Sequence, residues 1–173
     1  MKKALLVNIF CCLLVFMATG CSPNSSSYRV SNCAVKINQG VYGRVFWVAG
    51  NQMPVIGVKP PKEKSKADNQ RTKPVKRQLL VYPVMSMSQL KPNGRLFQMP
   101  DTKPFATAMA DEDGCFQLKL PPGKYSVFTL EEDQGQKRIF ANIFDGQGHA
   151  NPVEVKRMEL TELNIKINYK AVF

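Results

Sequence analysis

The sequence predicts an all-β domain, an antiparallel sandwich or small barrel of about seven to eight strands. Three observations point there. Apolar and polar residues alternate at period two in several short runs; glycine and proline clusters separate those runs at spacings near the ~8–12 residues usual for such folds; and no window carries a convincing helical stripe. With 173 residues the chain has the length of one domain, and 44% hydrophobic against 21% charged residues excludes both a disordered polyelectrolyte and a multi-span membrane protein.

The first strand is GVYGRVFWVAG from Gly40, with Val41, Gly43, Val45 and Trp47 on one face and Tyr42, Arg44, Phe46 and Val48 on the other. Leu79 to Val84 is a second, with Pro83 confined to an edge or bulge because it has no donor. Phe105 to Ala110 is a weaker third. Asp111-Glu-Asp-Gly114 makes a turn, and Phe116, Leu118 and Leu120 then alternate with Gln117 and Lys119, a half-buried strand. Pro121-Pro122-Gly123 reverses the chain, with Gly123 free to take positive φ. Tyr125 to Leu130, Ile139 to Phe144 and Val153 to Lys156 follow. The eighth runs from Leu160 to Phe173, with Leu163, Ile165, Ile167 and Tyr169 sharing a face.

One stretch does not fit. Residues 58–78 carry Lys59, Lys62, Lys64, Lys66, Arg71, Lys73, Lys76 and Arg77 against only Glu63 and Asp68, with three prolines. Such a composition buries too little apolar surface to offset its ordering entropy, which predicts an exposed basic loop joining the first two strands. It could be a solvated insertion, or could lie against anionic lipid, lipopolysaccharide phosphates or an acidic protein, each near-surface charge contributing about 1 kcal/mol.

The opening residues read as an address. Lys2 and Lys3 precede an apolar run from Ala4 to Ala18 broken only by Asn8. That run spans about 22 Å as a helix, short of a ~30 Å hydrocarbon core, so a cleaved export signal fits better than a permanent span. Ala18-Thr19-Gly20-Cys21 resembles the lipobox of bacterial lipoproteins, though with Ala18 where leucine is more usual. The resemblance implies cleavage before Cys21 and a lipidated, acylated Cys21 as the mature amino end. With Ser22 rather than Asp next, it implies an outer-membrane anchor facing the periplasm, with display on the cell surface as an alternative. The expected organisation is a leader over 1–20, a lipidated tether over 21–39, and the domain over 40–173 with its basic insertion at 58–78. Loss of Lys2 and Lys3 lowers the net charge from +11 to +9.

Two cysteines then remain for the folded domain, Cys33 and Cys115. In an oxidising compartment they could pair, closing a loop worth roughly 4 kcal/mol, or stay as two small buried thiols. An exported protein leaves little place for a nucleic-acid partner.

Three phrases carry a family likeness: GVYGRVFWVAGNQMP, DEDGCFQLKLPPGKYSVF and FANIFDGQGHANPVEV. The chain resembles the carboxypeptidase regulatory-like domains, which are transthyretin-like or CnaB-like β-sandwiches of Greek-key, prealbumin-like topology. Gly43 and Val45 match the first strand of that pattern, Asp111 and Gly114 its turn, Phe116 its aromatic, and Leu120, Gly123 and Tyr125 its last strand. The resemblance implies an architecture and no particular activity or cofactor. Asp111 is expected to cap the turn, Gly114 to take the left-handed conformation, Phe116 to point inward, and Tyr125 to fill the core while its hydroxyl finds a backbone partner.

Catalysis finds little to work with. The sole histidine, His149, lies in the glycine-bracketed GQGHAN and reads as an exposed loop residue; no GxSxG, HExxH or CxxC occurs. Related transthyretin-like hydrolases use several histidines and a fixed C-terminal tetrapeptide, which NYKAVF does not match. The clusters Asp111, Glu112, Asp113 and Glu131, Glu132, Asp133, and Asp145, offer oxygen ligands for Ca²⁺, although turn chemistry explains them equally. Phe46, Tyr42 and Tyr82 could form an aromatic strip or could pack internally. The reading that follows is a noncatalytic, lipid-anchored binding or scaffold module without metal or cofactor. The alternatives are a small periplasmic hydrolase or metal-dependent enzyme, and a fibre or adhesin subunit whose Val172-Phe173 end offers a sheet edge.

Overall fold

A computed structural model describes residues 33–53 and 72–173, and twelve strands are formed among these residues. They form two sheets. The first is centred on β1 (Gly40–Asn51), and β7 (Cys115–Leu118) and β2 (Thr72–Pro74) pair with it antiparallel, one after the other. β11 (Leu160–Glu162) and β12 (Ile165–Val172) also follow one another along β1, and both pairings are parallel. The all-antiparallel expectation fails here because alternation fixes which face a residue takes and says nothing about strand direction. The second sheet is antiparallel throughout, in the order β4 (Pro92–Asn93), β5 (Leu96–Gln98), β9 (Gln136–Phe140), β8 (Gly123–Asp133), β3 (Gln78–Pro83), β6 (Ala106–Met109), with β10 (Pro152–Val155) also on β8.

One apolar cluster draws on both sheets. Val41, Val45, Phe116, Leu118, Ile165 and Ile167 come from the first; Leu79, Val81, Tyr125, Val127, Phe140, Val153 and Val155 come from the second. These are period-two positions of β1, β3, β7, β8, β10 and β12, with Phe140 added from the end of β9. Gly43 sits among them because a side chain there would strike the Leu163 carbonyl, so β1 and the β11–β12 link approach at backbone distance.

The second sheet is buried on its other face as well. Leu80, Tyr82, Phe128 and Ile139 form a separate cluster with Met85, Leu90, Phe97, Ala141 and Ala150. The excursion after β3 supplies its cover, through the 3₁₀ turn at Met87–Gln89 and the β4–β5 pair. Continuous runs such as LLVY suit a strand covered on both sides. Tyr42 lies buried in the first sheet and Tyr82 in the outer layer of the second, while Phe46 is half-buried under Arg44, so the proposed aromatic strip does not form.

Two predicted boundaries shift. β9 begins at Gln136 because Gln134 and Gly135 both take positive φ and close a two-residue hairpin with β8. It ends at Phe140, and Ile143 and Phe144, expected in the strand, are exposed in the loop beyond. Asn151 seals the base of that loop: its side-chain oxygen accepts the Asn142 and Ile143 amides at 3.1 and 3.0 Å, and its amide donates to the Val127 carbonyl at 3.0 Å. It thereby fills the gap along β8 between β9 and β10. Among the described residues no helix is long and apolar enough to cross a membrane.

Candidate functional site

The turn motif is consumed by structure. The Asp111 carboxylate accepts the Cys115 amide at 2.8 Å, and Gly114 takes φ +73° with its α-carbon facing the Val45 carbonyl, where a side chain would collide. Phe116 is buried in the core. Tyr125 is buried too, and its hydroxyl donates to the Pro121 carbonyl at 3.0 Å, tying β8 to the preceding reversal. Gly123 departs from expectation. Its φ is not positive, and its use is to leave room for the Tyr125 ring, which a side chain there would touch at 3.2–3.4 Å.

Cys33 and Cys115 are disulfide-bonded with Cα atoms 5.6 Å apart, and the bond ties the segment before β1 to β7 across 82 positions. Cys21 lies outside the described residues, as do Lys59, Lys62, Lys64, Lys66 and Arg71.

The other three basic residues correct the loop boundaries. Thr72–Pro74 pairs with Phe46–Val48 as β2, which places Lys73 opposite Trp47. Lys76 bonds Glu112 at 2.9 Å with both side chains exposed, a contact worth little. Arg77 turns inward. Its Nε stands 3.3 Å from Glu131, whose side chain is only 2% exposed. β8 continues its inward series Tyr125, Val127, Thr129 with Glu131, so the acids read as a possible cation cluster belong to a strand and alternate in and out. Glu131 also accepts the Tyr169 hydroxyl at 3.2 Å. Burial raises the Glu131 pKa, against the opposing pull of Arg77 and Tyr169, and burial beside Glu131 pushes Tyr169 up to about 12.

Aromatic rings roof this pair. Trp47 meets Tyr169 edge-on at 5.3 Å, and Arg77 and Lys170 lie 5.6 and 5.9 Å from the Trp47 centroid. Arg95 reaches the same end of the sandwich, donating to the Tyr169 and Ala171 carbonyls at 3.1 and 2.8 Å along the β12 edge that, among the described residues, no strand pairs. Together with Asn142, which donates to the Lys166 carbonyl at 3.0 Å, it occupies acceptors that an added strand would need.

His149 is half-buried rather than exposed. Its Nδ1 lies 2.7 Å from the Asp145 carboxylate, which also accepts the Gln147 and His149 amides at 2.9 and 2.8 Å. These bonds hold the Asp145 pKa below the usual carboxylate range. The D-x-x-x-H spacing in FDGQGHAN was the signal for this pair. It borders a cleft of about 200 Å³ with Lys124 and Glu154. Among the described residues no three histidine, cysteine or acidic side chains gather as a metal site. A larger cleft of about 330 Å³ has Tyr82, Met85 and Met99 in its walls and the Lys91–Asp101 pair, 3.3 Å apart, among its lining residues. Sequence reasoning did not find it, because residues 84–104 show no periodicity.

No protein-family model matches the chain, and no curated protein or solved structure matches it either.

Proposed function

We propose that this chain is a noncatalytic module tethered to a membrane by lipid on Cys21, facing the periplasm from the outer membrane, with a Greek-key sandwich of the carboxypeptidase regulatory-like, prealbumin-like kind. The observation that carries the tether is the order of the leading segment, in which Lys2-Lys3, an apolar run and Ala18-Thr19-Gly20-Cys21 succeed one another and a serine-rich stretch follows. The Cys33–Cys115 bond supports an oxidising compartment. The sandwich assignment is supported by the use of Asp111, Gly114 and Tyr125 to close the turn and corner that the family pattern marks.

Scaffolding or binding is favoured over catalysis because the residues a reaction would recruit are occupied structurally. Asp111 closes its own turn, Glu131 faces Arg77, and Asp145 organises its own loop around His149. The test is the mass of the N-terminal peptide from detergent-extracted protein: it should begin at Cys21 with diacylglycerol and fatty acyl groups. An unmodified peptide, or one that retains residues 1–20, would falsify the tether.

A further inference from the structure

We infer that the end of the sandwich where β1 and β12 finish is a contact surface for an anionic phospholipid bilayer, a contact separate from the proposed lipid on Cys21. β1 and β12 run parallel and stop together, with Asn51 opposite Val172 and the Gln52 amide donating to the Val172 carbonyl at 2.8 Å. Three large apolar side chains therefore emerge side by side: Met53 is 49% exposed, Val172 54% and Phe173 69%. Exposed apolar groups that gather inside a polar rim mark an interaction surface more often than a solvated one.

The rim is cationic. Lys73 on β2 pairs opposite Trp47, Arg77 and Lys170 lie over the Trp47 ring a few residues before the strand ends, and Arg95 bonds the Ala171 carbonyl beside Val172. The acids that share it are Glu131, set against Arg77, and Asp133, 3.7 Å from Arg138; Glu132 is exposed between them in sequence. The excess charge is positive, and apolar side chains ringed by lysine, arginine and a half-buried tryptophan match the chemistry of an anionic head-group layer over acyl chains. The twelve residues from Cys21 to Cys33 extend at most about 40 Å, enough to leave this end free to meet the bilayer that would hold the lipid.

Trp47 is the only tryptophan and reports directly on the contact. Protein processed in the cell and extracted with detergent is reconstituted with vesicles of phosphatidylcholine alone or with added phosphatidylglycerol, and pelleting is measured alongside quenching of Trp47 by lipids brominated in the acyl chain. Quenching is expected only with phosphatidylglycerol. It should weaken about thirtyfold in apparent affinity in a Lys73→Gln, Lys170→Gln double variant, at about fivefold per charge. It should also be lost in a Val172→Ser, Phe173→Ser variant whose circular dichroism is unchanged. Equal quenching in both vesicle types, or no response to either variant, overturns the contact. So does capture by polyglutamate that equals capture by the anionic vesicles and ignores the serine variant, since that pattern belongs to an acidic polypeptide. Pelleting with pure phosphatidylcholine and no quenching anywhere supports the lipid on Cys21 and overturns the contact. Quenching on phosphatidylglycerol without pelleting on pure phosphatidylcholine supports the contact and removes the lipid.

Discussion

Arg77 places its guanidinium 3.3 Å from Glu131 at one end of the inter-sheet core, where the apolar layers give way to charge. The pair is asymmetric: the arginine side chain is one-third exposed and stacks over Trp47, while the carboxylate is almost wholly enclosed. Removing water from a carboxylate costs more than one moderately aligned partner returns, which agrees with the raised Glu131 pKa. An acid whose folded pKa lies above its unfolded value destabilises the fold as pH rises. The penalty is absent below the unfolded pKa, near 4.5, and is complete only above the folded one. Glu131→Gln should therefore match the parent in stability at acid pH and exceed it by on the order of 1 kcal/mol at neutral pH. Arg77→Gln should do the opposite, losing about 2 kcal/mol at neutral pH, a figure reduced for the exposure of the arginine, and recovering in acid. Urea unfolding across the pH range separates these curves, and parallel curves would remove the argument.

The corner at Tyr125 offers a second test. Tyr125→Phe keeps the ring in the core but leaves the Pro121 carbonyl without its donor, so unfolding should move by about 1 kcal/mol with an unchanged denaturant slope. Tyr125→Ala also empties a core position and should cost about 3–5 kcal/mol. If the two cost the same, the ring contributes nothing and the corner has been misjudged.

How much of this was legible beforehand depends on the kind of signal each element carries. β7 and β12 declared themselves because one face is buried and the other is more open, and β1 did so by its β-branched content besides; Val41, Val45, Phe116, Ile165 and Ile167 occupy the faces that alternation assigned, whereas β8 is covered on both faces. β2, β4 and β5 are two or three residues long, too short for a period to register. Glu131 was obscured because an acidic triplet looks like a turn, whereas its neighbours on β8 turn it inward. Partners distant in sequence, such as Arg95 with the β12 carbonyls, leave no local trace at all.

The glycines separate steric need from conformational need. Gly43→Ala would drive a methyl group into the Leu163 backbone and Gly114→Ala would meet the Val45 carbonyl with positive φ besides, so both should lose more than about 2 kcal/mol. Gly135 has positive φ but open space around it, and its alanine variant should lose only about 1 kcal/mol. Thermal unfolding of the three variants orders them, and a Gly135 variant as damaged as the other two would contradict the packing account.

The Cys33–Cys115 bond closes a loop across 82 positions, nearly half the chain, and its removal should act through the unfolded chain. Cys33→Ser with Cys115→Ser should lower stability by roughly 4 kcal/mol in the chain-entropy account. β7 keeps its pairing with Val41–Arg44 and the Asp111 cap in the variant, so the native circular dichroism should persist. The segment before β1 depends more heavily on the bond, being held otherwise by contacts such as the Lys36 backbone amide to the Gln117 side-chain oxygen at 2.8 Å and the Gln39 side-chain amide to the Leu120 carbonyl at 2.9 Å. Hydrogen exchange should therefore quicken around residues 33–39 well before it quickens in β1. Uniform acceleration through β1 and β7 would mean instead that the bond holds the first sheet together, and that the sheet's own ladder is weaker than its packing implies.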